Sequence, residues 1–93
     1  MDSIIKDDEE YKCYICGSYR MIECHHIFGG ANRKNSEKFG LKVHLCKFCH
    51  NTPPNGIHFN REAEVRLKQI AQREFEKTHS REEFMKIFGR NYL

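Results

Sequence analysis

The chain has 93 residues, a formal charge of +3 and 31% charged residues, at a mean hydropathy of −0.77. A chain this short buries a limited share of its surface and often needs a staple besides its core. No apolar run reaches the length of a membrane span, and 12% aromatic residues argue against wholesale disorder.

Residues 1–10 hold five acids and one base, a charge of −4, and are expected to form a flexible acidic lead-in. The whole chain is +3, so residues 11–93 carry +7. A basic body on a small domain suits an anionic partner, with nucleic acid the usual one. No basic region leading into an apolar stretch follows Met1, so no secretory signal is expected. The five cysteines are therefore read as reduced, in a cytoplasmic protein. In that compartment paired cysteines bind metal more often than they form disulfides.

"YKCYICGSYR" places Cys13 and Cys16 in a Cys-x-x-Cys knuckle closed by Gly17. Residues 21–28 read as a strand, because Ile22, Cys24 and Phe28 alternate with other residue types. On it, His25 and His26 stand side by side and point to opposite faces. Cys24 is expected to be a small buried apolar residue. Residues 29–40, "GGANRKNSEKFG", read as a polar loop, and Leu41–Cys46 as a second short strand. His44 on that strand is expected either to line a cleft or to be solvated. "CKFCHN" starts a helical turn that Pro53-Pro54-Asn55-Gly56 breaks. Beyond it, Asn60 is placed to cap a helix whose apolar face is Ala63, Leu67, Ile70, Ala71 and Phe75. His79, near the end of that helix, is assigned no function. Ser80 with Glu83 has the capping-box spacing. It opens a second helix with Phe84, Ile87 and Phe88 on its apolar face and Gly89 past its end.

Cys46 and Cys49 form a second Cys-x-x-Cys. Two such pairs supply four thiolates, enough for a closed tetrahedral zinc site. A site without an open position suits a structural role, tying the first knuckle to the second strand. That tie would bring His50, which follows Cys49, close to the double histidine. The result is a second cluster, of imidazoles suited to a transition metal.

The double histidine, the Gly-rich basic segment and "LCKFCHN", with the two knuckles in this order, resemble the HNH endonucleases and their ββα-metal fold. The match covers residues 13–58, about half the chain; the compact form and the tail ending "FGRNYL" look most like small phage-type HNH proteins. The resemblance implies an α+β fold. It would be a ββα-metal finger with four-cysteine zinc knuckles, followed by two C-terminal helices over residues 60–89, with residues 11–93 forming one nuclease domain. It implies that His25 and His50 bind a catalytic divalent ion (Mg²⁺, Mn²⁺, Ni²⁺ or Zn²⁺). His26 would be the general base that takes a proton from the attacking water. The family's central Asn has no counterpart at Gly40-Leu41; Asn35, Asn32 or His44 would replace it, with Asn35 preferred. The helix is cut short, and His58 would supply a further imidazole, as ligand or phosphate contact. Glu23 would orient His25, and Arg33, Lys34 and Lys38 would contact DNA phosphates. The implied substrate is double-stranded DNA, nicked or cleaved with little sequence specificity by a monomer or weak dimer. A phage terminase or packaging complex is the implied partner, and no membrane is involved. The rival expectation is a non-catalytic zinc module that binds DNA or protein.

Overall fold

The computed structural model describes residues 1–93. Its centre is a two-stranded antiparallel sheet of β1 (Ile22–His26) and β2 (Lys42–Cys46), paired Ile22 to Cys46 and His26 to Lys42. The side chains of Val43 and Leu45 are fully buried, as is Leu41 just before β2. Both strands are shorter than the apolar spacing suggests.

The segment between the strands is not the expected loop. A short 3-10 turn, Gly30–Asn32, leads into helix α1 (Arg33–Phe39). Its buried contact is a hydroxyl rather than an apolar stripe. Ser36 Oγ donates to the Phe28 carbonyl at 2.8 Å and accepts from the Phe28 amide at 3.0 Å. A helix held this way lacks the apolar repeat by which helices are read. Gly40 ends α1 in the left-handed region at φ 70°, and a Cβ there would collide with the Asp2 carbonyl.

Residues 1–10 also depart from expectation, because they pack on the sheet. Ile5 is buried, Ile4 donates to the Gly40 carbonyl at 2.9 Å, and the Ser3 hydroxyl donates to the Lys42 carbonyl. Asp8 accepts from the His44 amide at 2.7 Å and meets His44 Nδ1 at 2.8 Å, so His44 is tied to the N-terminal segment, where it lines a recess with Ser3, Asp8 and Lys42. Cys24 is exposed rather than buried.

β2 runs directly into α2 (Lys47–Asn51), and the Pro-Pro-Asn-Gly segment ends it before a second 3-10 turn, Ile57–Phe59. Helix α3 (Arg61–Phe75) begins where Asn60 Oδ1 accepts from the Ala63 amide at 3.1 Å. Leu67, Ala71 and Phe75 are buried on one face. Helix α4 (Arg81–Phe88) carries the full capping box between Ser80 and Glu83, and Gly89 closes it at φ 82°. Phe28, two residues past β1, meets Phe84 and Phe88 at ring distances of 5.5 and 4.6 Å, which joins the helical pair to the sheet. Only 19 of 93 residues are buried, so the domain is α+β with a thin core. No helix is long and apolar enough to cross a membrane.

Candidate metal centres

The two cysteine pairs meet. Gly17, at φ 78°, turns the first knuckle so that its amide donates to the Cys13 carbonyl at 3.0 Å. Tyr14 donates to the His44 carbonyl at 2.8 Å, pinning that knuckle to β2, where Cys46 ends the strand and Cys49 lies one turn into α2. The sulfurs of Cys13, Cys16, Cys46 and Cys49 all lie within 4.8 Å of one another. Cys16 and Cys46 are 3.6 Å apart, far beyond a disulfide bond and close to the spacing of about 3.8 Å that four thiolates at about 2.3 Å around one ion would have. Burial alone would raise the Cys13 thiol, but backbone amides of Cys16, Cys46 and Ile15 bring it down to about 6. Burial and the three neighbouring sulfurs push Cys49 strongly up. The first thiolate forms readily and the last is opposed by its neighbours. A bound cation would relieve that opposition.

Three imidazoles form a second cluster. His25 comes from β1, His50 from α2 and His58 from the second 3-10 turn. Their ring centroids lie 5.1, 5.1 and 4.7 Å apart in pairs. The tight turn that breaks the helix is what delivers His58. Gly56 donates to the Thr52 carbonyl at 2.8 Å, folding the chain back over α2. His50 Nε2 and His58 Nε2 face each other at 3.0 Å, and His25 Nε2 is buried with no hydrogen-bond partner. Burial, helped by His50 and His58, holds His25 down to about 3, so its ring stays neutral. An unpartnered buried nitrogen and two neighbouring ring nitrogens fit one divalent ion. Glu23 lies behind this cluster, but its Oε1 meets His50 Nδ1 at 2.8 Å rather than orienting His25. That contact fixes the tautomer that turns Nε2 of His50 toward the other two rings.

His26 points to the other face of β1 and is not among the three rings. Its Nε2 meets Glu37 Oε1 at 3.1 Å, and its Nδ1 is buried without a partner. Glu37 Oε2 accepts from Lys42 Nζ at 2.6 Å, and these contacts, Lys42 first, hold the Glu37 carboxyl at about 2. None of the residues expected to replace the family's Asn reaches His26. Asn35 donates to Asn32 Oδ1 at 3.2 Å, Asn32 donates to the Phe88 carbonyl at 3.2 Å, and His44 is taken by Asp8. Glu37 was hidden from sequence reading because the helix that presents it lacks an apolar repeat. His26 and Glu37 share a recess of about 450 Å³ with Arg33 and Lys34. Lys38 does not line it and lies over the Phe39 ring at 5.4 Å.

No family model, curated protein or solved structure matches this chain.

Proposed function

We propose that the chain is a metal-dependent endonuclease of the HNH type, which hydrolyses phosphodiester bonds of double-stranded DNA. The observation that carries this reading is the convergence of His25, His50 and His58, with Glu23 behind His50 and the orphaned His25 Nε2 among them. Strand β1 supplies His25, strand β2 ends at Cys46, and helix α2 supplies Cys49 and His50, in the order of a ββα-metal finger. The thiolate cluster suits zinc, which in a four-sulfur site is structural. A divalent ion on the three imidazoles would supply charge stabilisation at the scissile phosphate and its leaving oxygen.

The chain's own residues do the rest. His26 accepts the proton of the attacking water. Arg33 and Lys34, exposed beside it, hold backbone phosphates. Contacts of this kind carry little sequence information, so the domain alone cuts with low specificity.

A second reading, a non-catalytic zinc module, is favoured by the knuckle surface. Tyr11, Ile15, Tyr19, Met21 and Phe48 are all exposed on or beside the cysteine pairs. Such a surface would suit a protein partner, and a DNA-packaging complex is the partner the resemblance suggests.

The two readings part in a supercoiled-plasmid assay with magnesium, manganese, nickel or zinc. The nuclease reading expects conversion to open circle by the wild type. It expects His26→Ala and His50→Ala each to cut roughly 100-fold more slowly or worse, with the zinc on the four cysteines retained. Unchanged cleavage by His26→Ala would remove His26 as the base. A folded, zinc-loaded wild type that fails to cut with every metal, and that gains no activity beside a packaging partner, would leave the binding module.

A further inference from the structure

The general base of the proposed reaction has two ring nitrogens, and the surroundings of His26 treat them differently. Nε2 faces Glu37 Oε1 at 3.1 Å, while Nδ1 is buried and has no partner. An ionised carboxylate only accepts hydrogen bonds, so a neutral imidazole placed against it must offer its N–H there. Glu37 is itself held from the other side. Its Oε2 takes a 2.6 Å bond from Lys42, which pairs with His26 across the sheet. Strand register, helix α1, Lys42 and the Met1 ammonium, 3.1 Å from the same Oε2, therefore fix the carboxylate in front of Nε2. The His26 side chain is only 10% exposed, so water competes weakly for that contact.

We propose that Glu37 is a positioning residue that locks neutral His26 in the Nε2–H tautomer and so makes Nδ1 the proton-accepting atom. The use of Nδ1 rests on the nuclease reading. Nδ1 is closed to water in the free chain, so in that use DNA binding must first uncover it; the O–H bond of water then breaks and its proton goes to Nδ1. The water oxygen bonds to phosphorus, and the bond from phosphorus to the leaving oxygen breaks, that oxygen taking a proton from solvent. Glu37 then faces an imidazolium and stabilises it through the same Nε2–H contact. The carboxylate does the orienting work that the resemblance assigned to an asparagine.

The test combines ring-nitrogen NMR of neutral His26 with single-turnover cleavage, on the wild type, Glu37→Gln and Glu37→Leu. Glu37 is about half exposed, but Glu37→Leu leaves the mostly buried Lys42 without its carboxylate, so a melting curve of each variant accompanies its spectrum. The Nε2–H tautomer is expected in the wild type and in Glu37→Gln, whose amide oxygen still accepts, and is expected to lose its dominance in Glu37→Leu. Cleavage by Glu37→Leu should fall roughly 10- to 100-fold with DNA affinity unchanged, and Glu37→Gln should recover part of that loss. The proposal is overturned if Glu37→Leu keeps the tautomer, or loses it and cuts at the wild-type rate. If the wild type fails to cut with every metal, the nuclease reading fails by itself. The ring spectrum needs no cleavage and still decides whether Glu37 sets the tautomer.

Discussion

At the scale of single residues, most of the chemistry lies in second contacts. His50 reaches the imidazole cluster with one nitrogen, and Glu23 holds the other at 2.8 Å. A carboxylate in that position fixes the ring and raises its basicity as a ligand. Glu23→Ala should therefore weaken binding of a divalent ion to the zinc-loaded protein by roughly 10- to 100-fold, read by titration calorimetry. The Glu23 side chain is 40% exposed, so the melting temperature of the metal-free histidine site should barely move. An unchanged affinity would reduce the Glu23 contact to a surface pair. His25 and His26 show why adjacent histidines need not be redundant. The strand sends one ring into the cluster and the other to Glu37. The opposite faces of the two rings and the approach of His50 to His25 were readable in the sequence, but the contact of His26 with Glu37 was not. Glu23 was expected at His25 and serves His50, because α2 swings His50 over the Glu23 position.

At the scale of elements, what could be read from sequence depended on how each element is held. Helices α3 and α4 announce themselves, since Asn60 and Ser80 cap them and apolar residues repeat at helical spacing. Helix α1 does not, because Ser36 anchors it through two hydrogen bonds and Gly29-Gly30, Asn32 and Asn35 read as loop residues. The cost of missing α1 was Glu37. The break after α2 was legible from its prolines, yet the direction of the chain beyond it was not. That direction decides whether His58 joins the cluster. Gly56 sets it, since a Cβ there would lie 2.6 Å from the Thr52 nitrogen and 2.9 Å from its oxygen. Gly56→Ala must open this turn and carry His58 away from His50. The expected result is weaker binding of the second metal, with the four-cysteine site still filled, as metal analysis would report. Retention of full affinity would mean that His58 is dispensable.

At the scale of the whole molecule, two clusters divide the labour of a chain too small to rely on its core. Nineteen buried residues of 93 leave a thin interior, and the four cysteines join the N-terminal knuckle to β2 and α2. The same junction sets the distance between β1 and α2, and hence between His25 and His50. In this arrangement the four-cysteine cluster positions the histidine cluster, so loss of the first should abolish metal binding at the second, while the reverse should not hold. The acidic first ten residues belong to this whole, because Ile5 and Asp8 fasten them to the sheet. Charge alone could not reveal that packing.

The most direct measurement is the number of metal ions per folded chain, counted by native mass spectrometry after loading with zinc and then nickel. Two ions are expected in the wild type, one in a His25→Ala/His50→Ala double variant that remains folded, and an unfolded chain in Cys46→Ser. A wild type that holds a single ion, unchanged in the double variant, would contradict the existence of a second metal centre and with it the proposed nuclease.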